Sequence, residues 1–280
     1  MKRIPESWLI LGPGALYLGV FFLIPMLIVA GYSLLEPGPY GGTTGGFTWD
    51  NYRALAQPDY LLIVWRSIRL AGWTTVLCLL IAYPVAWTLS RLPAGHQAGW
   101  IFVLTLPAWL NLLIKNYAWL ILLRKEGPLN TWLQAAGITQ APVEMLFTEG
   151  AVILGLVHTY LPFMILPLYV ALERIDGRLI EAARDLGGNG WQVFWRVILP
   201  QSHAGLRAGL TLVMVPALGS FLTPDLLGGA GAMMIGSLIQ EQFFVARNWP
   251  LGAALAMTCM ALIAGTLRFS RRDGPSDLWQ

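Results

Sequence analysis

Glu181-Ala-Ala-Arg-Asp-Leu-Gly187, followed after nine residues by Val197-Ile-Leu-Pro200, is a polar, two-part segment set between long apolar runs. Residues 178–186 suit a short helix whose alanines let another surface approach closely. Gly187-Gly-Asn-Gly190 breaks that helix, because glycine tolerates the positive φ of a sharp reversal. Trp191, Phe194, Trp195 and Ile198 then recur at i, i+3, i+4 and i+7, which gives a second helix one apolar face. Pro200 is expected to end it. The segment therefore reads as an L-shaped helical pair with a glycine elbow and one charged handle, Glu181.

The surroundings of this segment are those of a membrane protein. Hydrophobic residues make up 56% of the 280 positions and charged residues only 12%, against roughly a quarter in soluble domains. Such a chain has no need of a polar exterior, and each crossing requires about 20 apolar residues. Six spans are predicted, at about 8–35, 70–89, 100–123, 151–172, 208–223 and 251–267, with the segment above in a loop over 173–207. The first apolar stretch is too long for the core of a signal peptide and reads as a retained helix. Prolines 13, 25, 84, 162 and 167 fall within spans, where neighbouring helices satisfy the carbonyls they free. Cys78 and Cys259 both lie in apolar runs, so a disulfide framework is not expected.

Positive charge orients the chain. With the N-terminus inside, Lys2, Arg3, Arg91, Arg174, Arg178, Arg184, Arg196, Arg207, Arg268, Arg271 and Arg272 are cytoplasmic. They outnumber Arg53, Arg66, Arg69, Arg124, Lys125 and Arg247 outside. Both termini and the Glu181 segment are thereby expected in the cytoplasm. Of the external connections, 36–59 reads as a glycine- and proline-rich loop. Residues 51–69 read as an amphipathic surface helix, and 124–149 is expected to hold a short helix near 130–136. Residues 224–250, with Gly228-Gly-Ala-Gly231, read as a hairpin or partly re-entrant segment. One membrane domain over 1–280 accounts for the whole.

The segment that opens this reading resembles the EAA loop of the membrane subunits of bacterial ABC importers, whose pattern is E-A-A-x3-G-x9-I-x-L-P. Only Val197 departs from it. The resemblance implies an all-α, polytopic type I importer permease fold and a loop seated in a groove on a cytoplasmic ATPase. Glu181 would then make a charge-assisted contact, Ala182 and Ala183 would keep the interface close, Gly187 would set the turn, and Leu199 and Pro200 would complete the pattern. The residues by themselves also allow an interfacial amphipathic helix with Arg184 and Arg196 among lipid headgroups.

Further stretches are similar to spermidine/putrescine-type permeases: Pro107-Ala-Trp-Leu-Asn111, Ile114-Lys-Asn-Tyr-Ala-Trp119, Gly127-Pro-Leu-Asn130, Leu161-Pro-Phe-Met-Ile-Leu-Pro-Leu-Tyr169, Pro224-Asp-Leu-Leu-Gly-Gly229 and Asn248-Trp-Pro-Leu-Gly-Ala253. Related permeases carry opines, phosphonates and other amines. At position 115, where that subfamily usually has Arg, this chain has Lys. A polycation favours carboxylates, carbonyls and aromatic faces along its path. That singles out Asp225, beside Pro224 at the end of the fifth span, and Trp109, Asn111, Tyr117 and Trp119 on the third. Asp225 also suits a simple turn cap, and the aromatic residues suit packing or an interfacial belt. Lys115 would repel a polyamine; it is expected to reach the outer interface or to pair with an acid, in this chain or a partner. His158 is expected either to titrate or to hydrogen-bond a neighbouring helix as a satisfied polar core residue.

No phosphate-cradling Gly-x4-Gly-Lys-Ser/Thr, H-E-x-x-H or Cys/His metal spacing is present, and no nucleophile constellation. ATP and Mg chemistry therefore belongs to another polypeptide, and neither a cofactor nor a metal is expected in this chain. The resemblance implies a second, homologous permease (a heterodimer), two ATPase subunits and an external substrate-binding protein, with the complex in the bacterial cytoplasmic (inner) membrane and no nucleic acid partner. A channel or membrane enzyme outside the ABC class is the other reading.

Overall fold

The computed structural model describes residues 6–272. Lys2 and Arg3, which contribute to the orientation, lie outside them, as do the side chains of Arg268, Arg271 and Arg272. In chain order the helices are α1 (Glu6–Leu18), α2 (Ile24–Tyr32), α3 (Asp50–Leu55), α4 (Pro58–Ser90), α5 (Ala94–Trp109), α6 (Leu112–Leu123) and α7 (Pro128–Ala135). They continue with α8 (Glu149–Glu173), α9 (Gly177–Asp185), α10 (Gly190–Val193), α11 (Leu199–Leu218), α12 (Ile235–Phe244) and α13 (Trp249–Arg272). A two-stranded antiparallel hairpin, β1 (Leu35–Pro37) and β2 (Thr43–Phe47), interrupts the all-α pattern in a region expected to be loop.

The described residues fall into two compact units. One comprises 6–62 and 238–266. Here α1 and α2 are joined through a wide, π-type turn at Gly19–Leu23, and no residue of the apolar stretch Gly12–Tyr32 is buried. The turn has a local cause. Pro25 would drive its ring into the carbonyl of residue 21, and widening the turn relieves that clash. Buried Asn51 holds the hairpin's entrance, donating through Nδ2 to the Ser33 and Leu35 carbonyls at 3.0 and 2.8 Å. At the hairpin's other end the Gly42 N–H donates to the Arg247 carbonyl at 3.0 Å.

The other unit comprises 63–237 and 267–272. Its centre is α8, capped by the Thr148 hydroxyl, which accepts from the Ala151 N–H. Cys78, Ala82 and Ala86 of α4 and Val213 of α11 share one core with Met164, Leu168 and Leu172 of α8. The approach of α11 to α8 is close because Gly205 faces Pro167 and Ala171, and Gly209 faces Met164. Arg69, with Arg66 beyond it at 3.9 Å, pairs with Glu149 at the start of α8. These bonds explain why no separate surface helix over 51–69 forms. Once Pro58 has started the helix, the arginines find a counter-charge on α8 and the helix runs unbroken to Ser90.

Between 124 and 149 the chain is organised by buried Asn130. It donates to the Arg124 and Val143 carbonyls and accepts from the Val143 N–H. Gly127 is required beside it, since a Cβ there would meet the Ile121 and Leu122 carbonyls at 2.7 Å.

Among the described residues, three stretches are long and apolar enough to cross a membrane: Gly12–Tyr32, Pro58–Ser90 and Glu149–Glu173. The third predicted span, 100–123, is not one helix: α5 and the α6–α7 stretch meet at 87° across Leu110 and Asn111. Leu110 is extended there, and the Asn111 side chain caps α6 by accepting from the Leu113 N–H at 2.8 Å. The predicted fifth span, 208–223, falls partly on α11, which ends at Leu218; the sixth falls within α13.

Candidate functional site

The segment around Glu181 is built as two helices joined by a tight reversal. Asp176 caps α9, its carboxylate accepting from the Arg178 N–H at 3.0 Å. At the other end Gly187 has φ +84°. The Gly188 N–H reaches the Ala183 carbonyl at 3.0 Å, and the Gly187 N–H the Arg184 carbonyl at 2.8 Å. That pair of bonds is a Schellman termination, which needs a residue at ease in the left-handed region. Asn189 then opens α10 with a reciprocal capping box: its Oδ1 accepts from the Gln192 N–H at 2.8 Å, and Gln192 Oε1 accepts from the Asn189 N–H at 3.0 Å. The Asn-x-x-Gln spacing is its signal in the sequence. Asn189→Ala is expected to cost about 1 kcal/mol locally, read as faster amide exchange over Gly190–Val193.

The α9 helix is two-faced. Ile180 is buried and Ala183 half-buried, whereas Glu181, Ala182, Leu179 and Leu186 are exposed, Leu186 at 90%. Leu179, Ala182 and Leu186 follow at i, i+3 and i+7, an apolar stripe pointing away from the core. Sequence reasoning fixes on the Glu-Ala-Ala signature and misses both leucines; their helical spacing is the available signal.

Pro200 does not end the second helix. The backbone is helical from Gly190 through Leu218, with a wide turn at Phe194–Ile198 where the Leu199 N–H bonds the Phe194 carbonyl. Pro200 would clash with the carbonyl of Arg196, and the wide turn absorbs the conflict as it does before Pro25. Val193 and Ile198 are buried, Leu199 is half-buried and Pro200 exposed. A single element about 40 Å long, at 1.5 Å per residue, therefore joins the glycine elbow to Gly219.

Beyond Gly219 the chain folds back. A short helix with a wide turn at Pro224–Gly228 leads to a single 3-10 turn at Ala230–Ala232 and then α12. This returning segment packs on α8 where Gly155 leaves room, since a Cβ there would lie 2.7 and 2.8 Å from Leu227 and Thr223. It also packs on α6: Trp119 and Leu120 surround a cluster of Leu123, Ala151 and Leu227. Asp225 is exposed on this segment, in no ion pair among the described residues. The structure thus brings the Asp225 turn and Trp119 into one region. Trp109, 82% exposed, and exposed Asn111 sit instead at the α5–α6 bend, and Tyr117 lies on the outer face of α6.

Trp119 donates through Nε1 to Nδ1 of His158 at 3.0 Å, so the histidine bonds a neighbouring helix as expected. Lys115 is 6% exposed and pairs with no acid among the described residues. Its neighbour Asn116 is 1% exposed, and neither end of its amide has a partner. A buried cation unpaired among the described residues sits next to an unsatisfied amide, and periodicity gives no hint that both turn inward.

Together with the long apolar helices, these features are those of a helical membrane protein. The model of the binding-protein-dependent transport system inner membrane component family matches residues 15–270. The chain belongs to that family. The spermidine/putrescine transport system permease protein PotB of Haemophilus influenzae is 44% identical over 258 residues, covering 92% of this chain and 87% of that protein. PotB of Escherichia coli is 40% identical over 251 residues, covering 90% and 91%. Among solved structures, a subunit of the bacterial alginate ABC transporter, in complex with its alginate pentasaccharide-bound periplasmic protein, has the same fold. Its TM-score is 0.78 at 17% identity, covering 97% of this chain and 95% of that one.

Proposed function

We propose that the chain is the membrane-spanning, non-catalytic permease subunit of an ATP-driven importer of polyamines, spermidine and putrescine. The observation that carries the mechanism is the unbroken helix from Gly190 to Leu218. It runs from the glycine elbow that follows α9 to Gly219, just before the Asp225 segment, so a displacement at the elbow is carried toward that segment through continuous helical backbone. In this reading α9 docks in a groove on a cytoplasmic ATPase through Glu181, Ala182 and Ala183, with Gly187 setting the elbow and Leu199 and Pro200 completing the segment. ATP and Mg act on that partner. Closure of two ATPase subunits draws the loop inward, and a second, distinct permease completes a cavity into which an external binding protein releases substrate. Both termini lie in the cytoplasm. The polyamine substrate is supported by the identity to PotB over nearly the full chain. Asp225 supplies a carboxylate for an entering ammonium group, and Trp119, Tyr117, Trp109 and Asn111 offer aromatic faces and an amide along the path.

Reconstitution of the complete complex tests this. Spermidine-stimulated ATP hydrolysis and labelled spermidine uptake are both expected. Asp225→Asn is expected to raise the substrate concentration for half-maximal uptake about tenfold, the loss of one charge-assisted contact. Hydrolysis and transport with an opine or phosphonate, and none with polyamines, would overturn the substrate. Unchanged spermidine uptake in the variant would remove Asp225 from the path.

A further inference from the structure

Beneath the coupling segment lies an open groove of about 650 Å³ between α4, α9 and the helix starting at Gly190. Its size falls in the range of small-molecule sites, but its lining does not suit a polar solute. Leu79, Leu80, Val193 and Ile198 form the walls with the Trp87 and Phe194 rings. The Tyr83 hydroxyl within it is already engaged with Ser202 at 2.8 Å. Charge stands in two places. Arg184 of α9 lines the groove, and the Arg91 guanidinium stacks 4.5 Å above the Trp87 ring. Both arginines are exposed, and neither has an ion-pair partner among the described residues. Stacking on Trp87 leaves the edge of the Arg91 guanidinium, where its N–H groups are, free for an anion. Trp195, at another part of the lining, is half exposed, the state of a side chain at a membrane–water boundary.

An apolar trough lined by Arg184, with Arg91 stacked on the Trp87 ring of its wall, suits an amphipathic anion. We propose that the groove seats an acyl chain of an anionic phospholipid, whose phosphate is held by Arg184 and Arg91. The proposal rests on the permease reading only for the leaflet, which is the cytoplasmic one. It has a mechanical consequence. Arg184 lies one turn from Glu181, and Val193 and Ile198 bracket the wide turn, so the lipid packs against the parts of the chain that carry the coupling displacement. Anionic lipid would thus brace α9 in its docking position.

The complete complex in nanodiscs of phosphatidylcholine doped with phosphatidylglycerol, then examined by native mass spectrometry, tests the site. The native complex is expected to retain phosphatidylglycerol in preference to phosphatidylcholine. Arg91→Gln and Arg184→Gln are each expected to lower that retention about fivefold, the effect of one basic residue at an anionic surface. Arg91→Lys, which keeps the charge, should retain more than Arg91→Gln. Leu80→Trp, which fills the trough from its exposed side, should expel the lipid with both arginines present. Equal retention of the two lipids, or undiminished retention in the glutamine and tryptophan variants, would overturn the proposal. So would a crosslink from Leu80→Cys to a helix of the second permease, which would show that protein covers the groove. An intact complex that holds no phosphatidylglycerol sinks the lipid site alone; a native preparation that never binds an ATPase subunit sinks the coupling reading, whatever lipid it holds.

Discussion

Leu186→Glu is expected to release the ATPase subunits from the complex and abolish uptake while leaving the permease folded. Leu186 is 90% exposed at the end of α9, in line with Leu179 and Ala182. It makes no core contact that the substitution would break, so stability of the isolated fold should barely change. At a docked interface the new carboxylate would be buried without a partner. Stranding an uncompensated charge costs about 3–5 kcal/mol, which corresponds to at least a hundredfold weaker association. Co-purification of the ATPase with the permease, and uptake in proteoliposomes, read this directly. The result also separates two readings of the segment. If α9 lay on the bilayer as an interfacial helix, the variant would lose membrane contact there but keep its ATPase and its transport, and the docking face would have to be sought elsewhere.

Gly205→Ala is expected to unfold the centre of the larger unit. A Cβ at 205 would fall inside van der Waals contact of the Pro167 carbonyl and the Ala171 Cβ, both on α8. Neither neighbour is a flexible side-chain end that could move aside; one is backbone, and the other is fixed to the helix. Overpacking a tight core costs about 1–3 kcal/mol, occasionally more, and a clash with helix backbone belongs at the upper end. A marked fall in the melting temperature of the purified complex is expected, with uptake lost in proportion. Gly72→Ala is the control. Nothing lies within 4 Å of a Cβ there, and alanine in a helix interior is favoured over glycine by up to about 1 kcal/mol, so that variant should melt at the same temperature or higher. If both substitutions proved equally harmless, α8 and α11 would not be packed as described.

Much of the Glu181 segment is legible in the sequence. The reversal at Gly187, the apolar face around Ile198 and the short helix over 178–186 follow from local chemistry: a residue free to adopt positive φ, helical spacing, and alanines. Pro200 misleads for an equally local reason. A proline inside a helix removes one hydrogen bond and clashes one turn back, and in a sequence that signals a stop. Here the chain widens a single turn and continues, because the α8 surface holds the next turns of α11 in place through Gly205 and Gly209. The bend at Asn111 escapes a reading based on hydropathy, since a composition average over 100–123 does not change when the direction of the chain does. Asn111 as a helix cap is the signal available.

Composition and periodicity by themselves pointed to a helical membrane protein, and the Glu181–Pro200 segment carried a resemblance that the family match over residues 15–270 bears out. Those properties depend on transfer free energies and φ preferences that each residue carries wherever it sits. Only the tertiary structure decided the rest: that 58–90 is one helix, that Trp119 meets His158 beside the Asp225 segment, that Lys115 and Asn116 are buried, and that the Leu186 stripe is left bare on the face opposite buried Ile180. These depend on which residues distant in the chain meet. Arg66 and Arg69 find a counter-charge at Glu149 on another helix, and the absence of a side chain at Gly155 admits a returning loop; neither is a property of any one segment.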